Sequence, residues 1–143
     1  MPPTILIVDD DENIVALTQL MLTRHGYHAI GKTDPFEAVE VASQICPDLI
    51  IVDLMMPGMD GFEVALRCRQ NPKLADIPIL MISAKADVWH ASGSKANLIS
   101  QFLSKPLGVH QLIHSISTYL GEPEQSAGAG FTISKNAGSA PDL

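Results

Sequence analysis

Four short apolar runs in this chain end on residues able to do chemistry. Ile5-Leu6-Ile7-Val8 stops at Asp9 and Asp10, and Leu49-Ile50-Ile51-Val52 stops at Asp53. Ile79-Leu80-Met81-Ile82 stops at Ser83, and Phe102-Leu103-Ser104 stops at Lys105 and Pro106. A carboxylate at the mouth of a buried strand is poorly solvated and persists where a cation or a reaction needs it. Three acids on neighbouring strands supply hard oxygens, which suit Mg²⁺ or Mn²⁺ better than Zn²⁺. A carboxylate beside such an ion can attack a phosphoryl group and become an aspartyl phosphate. The ion and Lys105 would neutralise charge on the transferring group, and Ser83 would hydrogen-bond its oxygens.

These side chains meet only if the runs are strands of one sheet. Residues 4–9, 48–53, 78–83 and 101–105 are apolar on both faces, the pattern of parallel strands covered by helices on each side. Tyr27-His28-Ala29-Ile30-Gly31 is a weaker run, suited to an edge. Five segments of helical period separate them. Ile14, Leu17, Leu20 and Met21 form the apolar stripe of the first, and Phe36, Val39, Ala42 and Ile45 that of the second. Phe62, Ala65, Leu66 and Arg69 mark the third, with Arg69 read as snorkelling to water. Val109, Leu112, Ile113, Ile116 and Leu120 mark the fifth. Asp34-Pro35-Phe36-Glu37 and Asp60-Gly61-Phe62-Glu63 both read as capped helix starts. The fourth helix, about residues 87–97, is interrupted by Ala91-Ser92-Gly93-Ser94, and an interior glycine costs a helix roughly 1 kcal/mol. Strict β-α alternation predicts right-handed crossovers and a doubly wound α/β sheet. Such a sheet carries its site at the carboxyl ends of its strands, where all these polar residues fall.

Composition narrows the function classes. The chain has 143 residues, 46% hydrophobic and 17% charged, enough for one domain with a core. Its net charge of −7 repels a phosphate backbone and argues against direct nucleic-acid binding. Cys46 and Cys68 stand far apart and read as free buried thiols in a reducing cytoplasm. No run approaches the ~20 apolar residues of a membrane span, and Met1-Pro2-Pro3-Thr4 does not start a signal peptide, so a cytoplasmic location is expected. Residues 1–120 read as the domain, and the Gly-, Ala- and Ser-rich residues 121–143 as a flexible tail.

Residues 4–120 resemble the response-regulator receiver domain of two-component signalling. The resemblance rests on Val8-Asp9-Asp10, on the block Asp53-Leu-Met-Met-Pro-Gly-Met-Asp-Gly61, on Ser83-Ala84 and on Phe102-Leu-Ser-Lys105-Pro106. It implies a flavodoxin-like, five-stranded parallel sheet in the order 2-1-3-4-5 with five helices. Asp53 would then be the phosphoacceptor. Asp9, Asp10, Asp53 and the backbone carbonyl of Met55 would hold Mg²⁺, with Mn²⁺ as the other option. Lys105 becomes the phosphate counter-charge, joined to Pro106 by a cis peptide bond. Ser83 and Phe102 match the hydroxyl and aromatic that switch together. The implied partners are a sensor histidine kinase or phosphotransfer protein and a downstream protein target. The implied activity is self-phosphotransfer and slow self-dephosphorylation, with no turnover of an external metabolite. The chain would act as a monomer or a weak, phosphorylation-dependent dimer.

Departures from the family pattern carry their own expectations. Leu98-Ile99 stands where members carry Gly-Ala, and the fourth-helix stretch offers only Asp87 and Lys95 for ion-pair dimerisation. Trp89 and Leu98 would give a more apolar contact surface there. Met55 and Lys85, two residues past the acceptor and two past the hydroxyl, are bulky and non-acidic, and would hinder an attacking water.

Rival readings fit less well. A haloacid-dehalogenase-type phosphatase using Asp9-x-Asp11 leaves Asp53 unexplained and lacks an acidic pair after Lys105. A pseudo-receiver would not need every phosphorylation residue. A flavodoxin-like electron carrier wants a Ser/Thr/Gly cradle where this chain has acids. His110 and His114 have i, i+4 spacing but no third ligand, and the Met55, Met56 and Met59 cluster reads as packing.

Overall fold

The computed structural model describes residues 2–122. Five parallel strands form one sheet: β1 Thr4–Val8, β2 His28–Lys32, β3 Leu49–Asp53, β4 Ile79–Ser83 and β5 Gln101–Ser104. Their order is β2-β1-β3-β4-β5, as expected, with the weak strand β2 at an edge. Alternate residues of each strand feed two cores. Leu6, Val8, Ile50, Val52 and Met81 face one side, where α2 Pro35–Ile45, α3 Gly61–Arg69 and α4 Ala86–His90 pack. Ile5, Ile7, Leu49, Ile51 and Leu80 face the other, under α1 Glu12–Arg24 and α5 Val109–Leu120. Burial on both faces is why these runs are apolar throughout instead of alternating. The expected tail, 121–143, lies almost wholly outside the described residues.

Several helical expectations need correction. In α1 the buried residues are Val15 and Leu22, while Ile14, Leu17 and Leu20 face solvent, Leu17 being 58% exposed. The cause is a close approach to β2: a Cβ placed on Gly31 would lie 2.2 Å from Val15 Cγ1. The helix therefore rests on its Val15–Leu22 line, with Gln19 beside Gly31. In α2, Ala38 and Ala42 are buried while Phe36 and Ile45 are exposed.

The fourth helix breaks where its sequence is poorest. It runs only from Ala86 to His90, and a separate 3-10 turn spans Gly93–Leu98, with Gly93 at φ +60°. Arg69 does not snorkel. Its guanidinium turns inward and donates to the carbonyls of Leu98 (2.9 Å), Ile77 (2.7 Å), Ala75 (3.0 Å) and Leu74 (3.4 Å). Cys68 is buried, which pushes its thiol up to about 11, but Cys46 is exposed at the end of α2, contrary to the expectation for it.

Candidate functional site

The first β-α turn sorts three consecutive acids by role. Asp9 is buried, and its Oδ1 accepts from the Asp11 N–H at 3.0 Å. Asp11 is the helix cap, accepting from Asn13 N at 2.9 Å and Ile14 N at 3.3 Å, which satisfies donors at the start of α1. Asp10 is left exposed, free of any capping duty.

Asp53 ends β3 one strand away, with its side chain 11% exposed. One carboxylate oxygen from each of Asp9, Asp10 and Asp53 lies within 4.8 Å of the others. Lys105 Nζ stands between two of them, 3.5 Å from Asp9 Oδ2 and 3.7 Å from Asp53 Oδ2. A cavity of about 30 Å³ under these groups is walled by Ile7, Ile14, Ile51 and Ile82. That apolar floor is the physical reason the carboxylates are poorly solvated. Burial raises the pKa of Asp53 above the usual carboxylate value, and Asp9 raises it further. Lys105 and the Met55 backbone N–H pull the other way without cancelling the effect.

The backbone holds these positions tightly. Lys105 N donates to Ser83 O at 2.9 Å, which continues the β4–β5 pairing past Ser104, and Lys105–Pro106 is cis. Gly61 opens α3 directly against the end of β3. A Cβ there would come 2.7 Å from the Asp53 carbonyl oxygen and 3.0 Å from Leu54 Cα. Glycine at this capped helix start was legible; its reason, the closeness of α3 to Asp53, was not.

Ser83 is buried at the end of β4, and its Oγ accepts from Lys85 N at 2.9 Å. That leaves its hydroxyl proton free to donate. Phe102 is half-buried on β5, opposite Met81 in register. Trp89 is half-buried and stacks on Phe102 with ring centroids 5.0 Å apart and planes 5° from parallel. Met55 is half-exposed and Lys85 is exposed, while Met56 and Met59 are buried as packing residues. His110 and His114 are exposed, and among the described residues only the aspartate trio groups as metal ligands.

A larger open groove, about 530 Å³, lies along Phe36, Met59, Phe62 and Leu66 and contains none of the expected site residues. Its charges are already engaged, with Arg67 on Glu63 at 3.0 Å and Lys95 over the Phe62 ring at 5.8 Å. The smaller acidic crevice is the one that gathers Asp9, Asp53 and Lys105.

The sheet order and the crevice at its carboxyl edge define a doubly wound domain of the flavodoxin-like class. Within that class, residues 5–117 match the response regulator receiver domain. The chain belongs to that family of two-component signalling proteins, in which the domain serves as a phosphoacceptor. The polar-differentiation response regulator DivK of Brucella anthropi is 30% identical over 122 residues, covering 85% of this chain and 99% of DivK. The DNA-binding dual master transcriptional regulator RpaA of Synechocystis is 35% identical over 118 residues, covering 82% of this chain and 49% of RpaA. The chain thus spans about half the length of that regulator.

Among solved structures, chemotaxis protein CheY4 of Vibrio cholerae superposes with a TM-score of 0.77 at 28% identity, over 83% of this chain and 99% of CheY4. The receiver domain of sensor histidine kinase PA1611 from Pseudomonas aeruginosa gives 0.78 at 23% identity, over 85% and 99%, a likeness of fold. That structure carries a magnesium ion in its active-site cleft. No helix among the described residues of this chain is long and apolar enough to cross a membrane.

Proposed function

We propose that Asp53 accepts a phosphoryl group in a Mg²⁺-dependent transfer from a sensor histidine kinase or phosphotransfer protein. The modified domain then acts through a changed protein-binding surface. The observation that carries this reading is the meeting of the Asp9, Asp10 and Asp53 oxygens within 4.8 Å, with Lys105 Nζ beside two of them. The donor set fits the ion: it is all oxygen, it is anionic, and exposed Asp10 leaves one side open to water and substrate. The Met55 carbonyl, two residues past the acceptor, is proposed as a further ligand. The raised pKa of Asp53 has the same meaning, since negative charge gathered on an apolar floor calls for a cation.

Bound Mg²⁺ would supply positive charge against the phosphoryl oxygens. The chain's own groups do the rest. A carboxylate oxygen of Asp53 forms the new bond to phosphorus while the bond from phosphorus to the donor breaks, and its electron pair leaves with the donor. Lys105 balances charge on the transferring group. Ser83 donates its free proton to a phosphoryl oxygen, and Phe102 responds to the movement of Ser83. Ile14 lines the acidic crevice, and with exposed Leu17 and Leu20 on the same helix it would offer a donor protein an apolar surface. With a net charge of −7, the chain is proposed to act through protein contacts and not by binding nucleic acid itself.

Incubation with a small-molecule phosphodonor such as acetyl phosphate tests this reading by intact mass. One acid-labile phosphoryl group is expected per chain, not formed when Mg²⁺ is chelated beforehand and absent from Asp53→Asn. Uptake by Asp53→Asn at the wild-type rate would defeat the assignment. Met55→Asn gives a second test. A smaller amide at this half-exposed position opens the approach to phosphorus, so phosphate loss is expected to quicken severalfold in a decay assay. An unchanged or slower loss would show that Met55 shields nothing.

A further inference from the structure

Phe36 is a large aromatic side chain that its own helix does not bury. It opens α2 at 52% exposure, while Pro35, Ala38 and Ala42 form the buried side of that helix. Two contacts account for its place. The ring edge lies against the loop that follows Asp53: a Cβ on Gly58 would stand 3.3 Å from Phe36 Cε2. Gly58 has φ +86°, a conformation that favours glycine, so the loop leaves this space to the ring. From α3, the Arg67 guanidinium sits over the same ring, 5.8 Å from its centroid, and is itself held by Glu63 at 3.0 Å. Phe36 therefore connects α2, α3 and the loop between β3 and α3.

That loop carries Met55. Its two ends are fixed by the backbone, with Leu54 N donating to Ile82 O at 3.0 Å and Gly61 N donating to Leu54 O at 2.8 Å. Met56 and Met59 are buried, whereas Met55, Pro57 and Gly58 are exposed. The Met55 N–H also donates to the Asp53 carboxylate, so this stretch of backbone runs beside the acids. We propose that Phe36 is a positioning residue for the Mg²⁺ site, bearing on Gly58 so that the exposed part of the loop stays ordered and the Met55 carbonyl is held ready for the ion. The proposal rests on the Mg²⁺-dependent phosphoacceptor reading above. A ligand that must first be ordered weakens binding by the entropy it loses, and a braced loop has already lost it. Without the ring the ion should bind more weakly, while Asp53, Lys105 and Ser83 act as before once it is bound.

Calorimetric Mg²⁺ titration of the full-length protein tests this, run beside initial rates of uptake from acetyl phosphate over a range of Mg²⁺ concentrations. Phe36→Ala is expected to weaken Mg²⁺ binding about 10-fold, the low end of the loss that follows removal of a group supporting a metal ligand. The Mg²⁺ concentration for half-maximal uptake should rise by the same factor, with the rate at saturating Mg²⁺ close to that of the wild type. Since the ring is half-exposed, its removal opens no core cavity and the variant keeps its fold. Phe36→Tyr, which keeps the ring, is expected to retain the wild-type affinity. Ile45→Ala, which trims another exposed apolar residue at the other end of α2, is expected to leave it unchanged. Equal Mg²⁺ affinity in Phe36→Ala and the wild type overturns the brace alone, and so does an equal loss in Ile45→Ala. Absence of Mg²⁺ binding or of any phosphoryl adduct in the wild type overturns the phosphoacceptor reading and the brace with it.

Discussion

Lys105→Ala is expected to slow phosphoryl uptake at Asp53 by about 10²- to 10³-fold, the usual loss when one charge-stabilising donor leaves a preorganised site. The ammonium stands 3.5 Å from Asp9 and 3.7 Å from Asp53, over an apolar floor of isoleucines. A fixed cation placed there needs no reorganisation as charge develops on the phosphoryl group, which is what makes it effective. The same substitution should strengthen Mg²⁺ binding. Lys105 offsets part of the negative charge of Asp9 and Asp53, so without it the acids hold a divalent cation more tightly. Slower transfer together with tighter Mg²⁺ binding, read from initial rates and a metal titration on one preparation, separates a charge role from simple unfolding. An uptake rate within about threefold of the wild type would remove Lys105 from the reaction, well short of the loss expected for such a donor.

Much of this crevice was legible because its polar residues sit at strand ends. A run buried on both faces must be apolar, so a terminal aspartate, serine or lysine stands out against it. The doubly wound connection then collects those ends without further information. The division of labour among Asp9, Asp10 and Asp11 was less legible, since all three are aspartates and an aspartate can cap a helix; only the hydrogen bonds from Asn13 and Ile14 to Asp11 decide it.

What stayed hidden has specific physical causes. Ile14, Leu17, Leu20 and Met21 have good helical spacing, and so do Val15 and Leu22, so periodicity alone gives the period of α1 without its phase. The deciding residue is Gly31, on another element, which lets Val15 sit where a side chain would otherwise stand. The exposed Ile14 stripe is thus surface beside the site and not core. The Trp89–Phe102 pair was hidden for a related reason. The two rings are brought together by the break after His90 and the turn through Leu98, and no local pattern encodes that return.

Arg69→Ala is expected to cost the fold about 2–4 kcal/mol, from loss of charge-assisted hydrogen bonds to clustered carbonyls. The guanidinium meets Ile77 O at 2.7 Å, Leu98 O at 2.9 Å and Ala75 O at 3.0 Å, bridging acceptors from the loop before β4 and the end of the 3-10 turn. Burial lowers the pKa of Arg69 from its ordinary value, a desolvation cost that these carbonyls offset. Removing the side chain leaves the acceptors facing one another, whereas Arg69→Lys supplies a point charge that cannot span them, so lysine should recover only a minor part of the loss. For a domain of this size the alanine variant should melt roughly 10 to 20 °C lower. The damage should also be directional. Arg69 ties the end of α3 to the loop before β4 and to the last residue of the 3-10 turn, so amides near Leu98 should exchange fastest relative to the wild type. A drop below about 1 kcal/mol in denaturant unfolding, with exchange near Leu98 unchanged, would show that water replaces the guanidinium at no cost. If the clamp behaves as its geometry requires, Arg69 fixes the far end of the segment whose near end is tied to Ser83.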